Sequence, residues 1–242
     1  MRAAVAAALL ALPAAGEPCR LSLALGLDIS GSVNGTEYRL QLDGLADALE
    51  APEVTGAILA MPGVPVEIAV FEWSGPASQR LLLSWTRLET AADVAGAAGR
   101  LRAVRREPTH PSTAVGAAML YGAQLLSGRA CWQRTLDLSG DGTSNTGPRP
   151  SRVKDDPGLA GVTVNALVIG ADSPSYAERR QGEIAELSSY FRALVITGPG
   201  AFVETALGFE DYERAMTRKL LRELRGMAVG ALGGGSAMDG DP

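Results

Sequence analysis

The chain alternates short apolar runs with longer segments in which apolar residues recur at helical spacing. The run at 21–27 is almost unbroken, which is typical of a strand buried on both faces of a parallel sheet. Further strands are predicted at 65–73, 80–85, 134–139, 162–169 and 192–197. Helices are predicted at 37–49, 90–104, 113–126, 177–190 and 209–225. This order predicts one doubly wound α/β domain with a mostly parallel, six-stranded sheet and helices on both faces.

The second and third predicted strands are joined by a very short connection, Ser74-Gly-Pro76. A connection of this length forms a hairpin, so one of the two strands must run antiparallel to its neighbour. We expect this antiparallel strand at an edge of the sheet. The helix that follows is predicted to begin after Thr90, with Asp93 completing a capping box.

The two ends of the chain differ in composition from its middle. Arg2, an apolar run at 3–12 and the small residues at 14–16 predict a signal peptide over 1–16, which is too short to span a bilayer. An ordinary apolar N-terminal helix is the alternative. The Gly-rich segment 227–242 predicts a disordered tail, which leaves the domain at 17–226. We therefore expect an exported protein, periplasmic or secreted, without a stable membrane span.

Composition excludes several functions. A net charge of −5 and a pI near 5.1 do not suit a nucleic-acid partner. The basic patch of the chain is interpreted as the solvated end of a helix; it comprises Arg100, Arg102, Arg105 and Arg106. His110 is the single histidine and is interpreted as a solvated loop residue, with a place at the rim of a site as the alternative. The chain has neither a G-x-S-x-G elbow nor a G-x-x-x-x-G-K phosphate loop.

Three polar loops carry the candidate chemistry. Asp28, Ser30 and Ser32 alternate directly after the first strand, and Asp141 follows the strand at 134–139. Thr113 opens a helix, although the register of this loop also allows Ser112 in its place. The carboxyl ends of parallel strands are where open α/β sheets bind ligands. Carboxylate and hydroxyl oxygens form a hard ligand set, which suits Mg²⁺ or Mn²⁺ better than zinc.

These motifs resemble those of von Willebrand factor A (vWA) domains. Asp28-Ile-Ser-Gly-Ser32 resembles their DxSxS motif, Thr113-Ala-Val-Gly-Ala-Ala-Met119 their threonine loop, and Leu138-Ser-Gly-Asp-Gly142 the strand that ends in their second aspartate. The similarity covers roughly 21–225 and is greatest to a bacterial branch of exported vWA proteins of unknown function. The resemblance implies a vWA or Rossmann-like fold.

The resemblance also implies a metal-ion-dependent adhesion site (MIDAS). Its ligands would be Asp28, Ser30, Ser32, Thr113 and Asp141. The ion would be Mg²⁺, with Mn²⁺ or Ca²⁺ as alternatives, and an Asp or Glu carboxylate of a protein partner would complete its coordination. Pro108, His110 and Pro111 stand where the family commonly has a glycine-rich approach to the threonine.

Cys19 and Cys131 are the only two cysteines. Both lie just upstream of strands that the vWA resemblance makes neighbours, at the end of the sheet opposite the metal. In an oxidising compartment this arrangement predicts a disulfide. Two unpaired thiols are the alternative.

The leading hypothesis is a non-enzymatic, metal-dependent protein-binding module. The first alternative is a Mg²⁺-dependent phosphohydrolase of the haloacid-dehalogenase type, which needs a second acid two residues after its first aspartate; Ser30 occupies that position. The second alternative is a metal-free structural scaffold. Whichever of these functions applies, Trp73 and Trp132 are interpreted as residues that pack in the core or at its edge.

Overall fold

The computed structural model describes residues 18–170 and 177–230. The predicted signal peptide and residues 231–242 therefore lie outside the described residues. In chain order the strands are β1 (Leu21–Asp28), β2 (Val66–Trp73), β3 (Gln79–Leu88), β4 (Gln133–Gly140), β5 (Val162–Ile169) and β6 (Val203–Ala206). They form one six-stranded sheet in the order β3-β2-β1-β4-β5-β6.

Helices cover both faces of this sheet. They are α1 (Gly35–Glu50), α2 (Pro52–Leu59), α3 (Ala91–Ala103), α4 (Val115–Leu126), α5 (Pro150–Val153), α6 (Ala177–Leu194) and α7 (Tyr212–Gly230). Short 3₁₀ turns occupy Pro157–Leu159 and Phe209–Asp211. Buried side chains of α1, α2, α3 and α7 form one apolar core, and those of α4, α5 and α6 form the other. No helix in the described ranges is long and apolar enough to cross a membrane.

β1 lies at the centre of the sheet and is buried along its whole length. It pairs in parallel with β2 on one side and with β4 on the other. Its leucines point into the core under α1 and α7, whereas the opposite face carries small residues. Gly26 shows why, since a Cβ at this position would lie 2.6 Å from Phe71 and 2.7 Å from Leu138. The apolar run therefore became a central parallel strand, as predicted.

The predicted hairpin is confirmed. β2 and β3 pair antiparallel, and β3 forms the edge of an otherwise parallel sheet. The predicted cap of α3 is also present, because the Thr90 side chain accepts from the Asp93 N–H while Asp93 accepts from the Thr90 N–H.

The prediction of a sixth strand at 192–197 is wrong. Its first residues belong to α6, and Thr197 makes only an isolated antiparallel bridge to Val164. The true edge strand is β6, which pairs in parallel with β5. Phe191 and Val195 are both buried and lie four positions apart. The run therefore begins in the last turn of α6 and leaves the helix at Val195, and a short apolar run does not distinguish a helix end from a strand.

Three further features of the helices differ from the predictions. α2 was not predicted; it is short and begins at a proline, which is favoured in the first turn of a helix. α4 begins at Val115, so Thr113 lies in the preceding loop. α7 continues through Gly230, beyond the predicted start of the tail at Met227.

Cys19 and Cys131 form a disulfide, which confirms the predicted pairing. The bond joins the segments that lead into β1 and β4. Next to it, the Trp132 N–H donates to the Cys19 carbonyl at 3.1 Å and the Gln133 N–H donates to the Arg20 carbonyl at 3.0 Å. The disulfide therefore covalently joins the two central strands at the end where both begin.

Removing this disulfide should destabilise the protein substantially. The bond closes a loop with a sequence separation of 112 residues, and loops of this size are expected to contribute about 3–5 kcal/mol. We expect the double variant Cys19→Ser/Cys131→Ser to lose free energy of unfolding in this range in urea denaturation. A reductant should lower the free energy of unfolding of wild type to that of the double variant and should leave the stability of the variant unchanged. Equal stability of oxidised wild type and the double variant would contradict this account.

Candidate metal centre

The site is formed where β1 and β4 end side by side. Leu27 is paired with Ser139 in the parallel register, so the loops that follow leave the same edge of the sheet. Across this edge the Ser32 hydroxyl donates to Asp141 Oδ1 at 2.8 Å. Two of the predicted residues, far apart in the chain, are thus in direct contact.

Asp28 is the most buried acid of the site. Its Oδ1 accepts from the Ser30 N–H at 2.8 Å, whereas its Oδ2 is buried without a hydrogen-bond partner in the described part of the chain. A Cβ at Gly140 would lie 3.4 Å from this Oδ2. The carboxylate therefore sits close to the end of β4, with one oxygen still lacking a partner.

Electrostatics disfavour two bare carboxylates here. Burial raises the pKa of Asp28 to about 8, the negative charge of Asp141 adds to the rise, and hydrogen bonds from Ser30 oppose it. Burial also raises the pKa of Asp141, against the opposing hydrogen bond from Ser32. A divalent cation bound to these oxygens would supply the missing positive charge. The unpartnered oxygen and the all-oxygen donor set therefore fit a hard cation such as Mg²⁺.

The two serines complete this side of the site. The Oγ atoms of Ser30 and Ser32 are 3.3 Å apart, with Ser30 buried and Ser32 exposed. Ile29, between Asp28 and Ser30, is buried in the apolar core. The alternation inferred from the sequence is therefore present in the loop.

Thr113 is connected to the Asp141 loop through Asn145. The Thr113 N–H donates to Asn145 Oδ1 at 3.0 Å, and the Asn145 N–H donates to the Thr113 carbonyl at 2.9 Å. Ser112, the alternative, is instead hydrogen-bonded through its hydroxyl to Nδ1 of the exposed His110 at 2.8 Å. Thr113 is therefore attached to the Asp141 loop through its backbone, whereas the Ser112 hydroxyl is engaged by His110. Sequence analysis did not identify Asn145, whose only signal was its place in the polar run that begins at Gly140.

The loop at 105–112 holds the DxSxS loop in position. The Gly31 N–H donates to the Pro111 carbonyl at 2.8 Å. Arg106 donates to the carbonyls of Ile29, at 3.4 Å, and Val33, at 2.6 Å, and its guanidinium lies 5.4 Å from the centre of the Tyr38 ring. Arg106 is exposed, as interpreted from the sequence, but it also contacts both ends of the DxSxS loop.

Cavities open on both sides of the site. One of about 300 Å³ is bordered by Asp141 together with the apolar residues Ile169, Ile184 and Leu187. Another of about 370 Å³ is bordered by Ser30, Gly31, Arg106 and Pro111. The polar edge is therefore bordered by cavities beside both Asp141 and Ser30.

A second group of potential ligands is not a metal site. Within the described ranges, Cys19, Glu67 and Cys131 are the set of acidic and sulfur ligands close enough to share an ion. Both sulfurs are in the disulfide, and Glu67 accepts from Arg129 Nε at 2.7 Å and from the Ser22 hydroxyl at 2.6 Å.

The chain belongs to the family described as "Protein of unknown function (DUF1194)", whose sequence profile matches residues 18–228. A search of curated protein sequences finds no match to the chain.

Solved structures show that the fold is that of vWA proteins, which confirms the resemblance. Proximal thread matrix protein 1 from the mussel byssus has a TM-score of 0.57 and 17% identity, covering 86% of this chain and 48% of that chain. A structure of the same protein with a zinc-occupied MIDAS motif has a TM-score of 0.56 and 15% identity. It covers 85% of this chain and 46% of that chain. The von Willebrand factor type A structure from Catenulispora acidiphila has a TM-score of 0.52 and 16% identity. It covers 85% of this chain and 43% of that chain.

The pilus adhesin SpaC from Lactobacillus rhamnosus GG is also similar. Its TM-score is 0.55 at 13% identity, covering 86% of this chain and 30% of that chain. The chain thus spans less than half of the length of these neighbours.

The raised pKa of Asp28 predicts an unusual pH dependence of metal-free stability. The folded-state pKa is about 8, whereas an unfolded aspartate titrates near about 3.9. The stabilising effect of the bound proton is therefore full below about pH 4 and is lost as pH rises toward 8. In EDTA, Asp28→Asn should become more stable relative to wild type by up to about 1.4 kcal/mol per pH unit between about pH 5 and 7.

Urea denaturation at several pH values checks this prediction. Asp155→Asn, the same change at an exposed aspartate, serves as the control, and its stability should depend on pH as that of wild type does. A stability difference between Asp28→Asn and wild type that does not change with pH would show that Asp28 does not titrate in this range.

Proposed function

We propose that this member of the DUF1194 family is a metal-dependent protein-binding module. Asp28, Ser30, Ser32, Thr113 and Asp141 hold a divalent cation, Mg²⁺ or alternatively Mn²⁺ or Ca²⁺, and an Asp or Glu carboxylate of a protein partner completes its coordination. The observation that carries this proposal is the buried Asp28 Oδ2, which has no hydrogen-bond partner among the described residues while Asp141 places a second carboxylate nearby.

The residues of the site favour binding over catalysis. Three of the five proposed ligands are neutral hydroxyls, and a cation so coordinated retains much of its attraction for an external anion. Ser30 stands where a phosphohydrolase of the haloacid-dehalogenase type needs its second acid. His110, a possible proton carrier, is exposed and bonded to Ser112. We therefore propose a role without catalysis.

The residues around the site have different roles in this proposal. Asp28 and Asp141 supply the negative charge, and the hydroxyls supply neutral oxygens. Asn145 aligns the Thr113 backbone with the Asp141 loop. The open cavities on both sides admit the partner segment that carries the carboxylate.

The proposal places the module outside the cytoplasm, in the periplasm or secreted. Two features support export: the signal-peptide pattern at 1–16 and the Cys19–Cys131 disulfide. Disulfides persist in oxidising compartments and are rare in the cytosol. The zinc-occupied MIDAS motif and the pilus adhesin among the structural neighbours support metal binding and adhesion by analogy of fold.

Metal should stabilise the folded protein. A cation that binds only the native state raises the free energy of unfolding, by roughly 1–3 kcal/mol at saturating concentrations. We expect the melting temperature of the full chain to rise from EDTA to millimolar Mg²⁺, Mn²⁺ or Ca²⁺. Asp28→Ala and Asp141→Ala should abolish the rise, and Asp155→Ala should retain it. If neither wild type nor the variants respond to any of these ions, the chain is a metal-free scaffold.

Carboxylate capture can be tested with a minimal probe. Acetyl-aspartyl amide should bind weakly to the Mg²⁺-loaded protein, detected by chemical-shift changes of residues near Asp141 and lost on adding EDTA. Acetyl-asparaginyl amide has nearly the same shape without the charge and should not bind. Ser32→Ala should weaken binding, since it removes a proposed ligand. Equal binding of both amides would contradict carboxylate coordination even if metal binding is confirmed.

A further inference from the structure

A separate cavity of about 540 Å³ lies at the end of the sheet opposite the candidate metal centre. Gln133 and Arg134 at the start of β4 and Thr163 near the start of β5 line it, which places it where these strands begin. None of the proposed metal ligands borders it. The remaining wall comes from the loop before β6 and from α7, so four separate parts of the chain build this cavity.

Trp132 borders the cavity and is 61% exposed. This contradicts its interpretation as a packing residue. Its backbone is fixed, because its N–H donates to the Cys19 carbonyl at 3.1 Å and the preceding residue is in the disulfide. An exposed indole on a fixed backbone is a preorganised surface for stacking against the face of a ring.

Two arginines at this cavity lack acidic partners. The Arg222 guanidinium lies 3.8 Å from the centre of the Phe202 ring, and Arg134 Nη2 donates to the Ala160 carbonyl at 2.8 Å. Among the residues that the structure describes, neither forms an ion pair with a carboxylate. Gly161, at φ +70°, keeps space for Arg134, since a Cβ there would lie 2.9 Å from Arg134 Nη2. Two such guanidiniums make the cavity attractive to an anion.

The buried wall of the cavity contains Glu223 and Asn165. Glu223 Oε1 accepts from Asn165 Nδ2 and from Lys219 Nζ, both at 2.8 Å. Oε2 of Glu223 has no hydrogen-bond partner in the described part of the chain. A buried carboxylate oxygen without a donor favours a ligand that brings one, such as a hydroxyl group.

We propose that this cavity binds a small sugar acid, a hydroxylated ring that carries a carboxylate. The ring stacks on Trp132, the carboxylate pairs with Arg134 and Arg222, and a ring hydroxyl donates toward the Glu223 wall. An unsubstituted aromatic acid such as benzoate shares the ring and the carboxylate but offers no hydroxyl donor, so the unpartnered Glu223 oxygen favours a hydroxylated ring. This site is independent of the proposed metal centre.

Calorimetric titration of the full chain with glucuronate tests the proposal. The titration is run in EDTA, so that its outcome does not depend on the metal site. Glucuronate should bind saturably and change the fluorescence of Trp132, whereas glucose, which lacks the carboxylate, and benzoate, which lacks the hydroxyls, should bind more weakly. Arg134→Gln, Arg222→Gln and Trp132→Ala should each weaken glucuronate binding about tenfold or more.

Two controls separate recognition from folding and from the metal centre. Arg192→Gln makes the same change at an exposed arginine of α6 and should bind as wild type does, and the use of EDTA removes any contribution of the metal centre. Arg222→Lys, at an exposed position, keeps the charge and should bind better than Arg222→Gln. The proposal is overturned if glucuronate does not bind saturably, if glucose or benzoate binds equally well, or if both arginine-to-glutamine variants bind as wild type.

Discussion

The parallel pairing of β1 with β4 is the interaction on which the rest of the structure depends. It joins two strands separated by about half of the domain and places Asp28 and Asp141 at the same edge of the sheet. The pair is connected at both ends, by the Cys19–Cys131 disulfide where the strands begin and by the Ser32–Asp141 hydrogen bond where they end. The disulfide thus also fixes the register that sets the geometry of the candidate metal centre.

The two groups of buried carboxylates in this fold differ in whether a cation of the chain offsets their negative charge. Deep under α7, Lys219 Nζ lies 2.8 Å from both Asp137 Oδ2 and Glu223 Oε1, so a buried cation of the chain itself offsets the acidic charge. At the end of β1 no such cation accompanies Asp28 and Asp141 among the described residues. Because isolated buried charge is costly, the second arrangement favours an external cation.

The loop at 105–112 holds the DxSxS loop in position through backbone and side-chain contacts. The carbonyl of Pro111 receives the Gly31 N–H, and Arg106 contacts the backbone on either side of the DxSxS loop. A second contact, 2.5 Å between the hydroxyls of Ser74 and Thr109, attaches this loop to the end of β2. Prolines restrict the backbone, so a loop anchored in this way presents its contacts with little conformational freedom.

Much of this protein follows from local sequence patterns. The apolar run of β1 required a strand buried on both faces, the short connection after Trp73 required a hairpin, and Asp28, Ser30 and Ser32 placed oxygens at the end of a central strand. These features depend on period, turn length and side-chain type, which are all local. Together with the vWA resemblance, the polar residues at the strand ends allowed Asp28, Ser30, Ser32 and Asp141 to be named as candidate ligands before any contact was known.

Tertiary structure decided the features that depend on neighbours distant in the chain. The apolar run at 192–197 suited a helix end and a strand equally, and only the packing of Phe191 and Val195 against the core settled it. Asn145 and Arg106 have functions only through partners that the sequence does not reveal. Trp132 looked like a core residue, yet the surface position of its backbone beside the disulfide leaves it exposed. Local patterns determine which element forms, whereas the contacts between elements determine what each side chain meets.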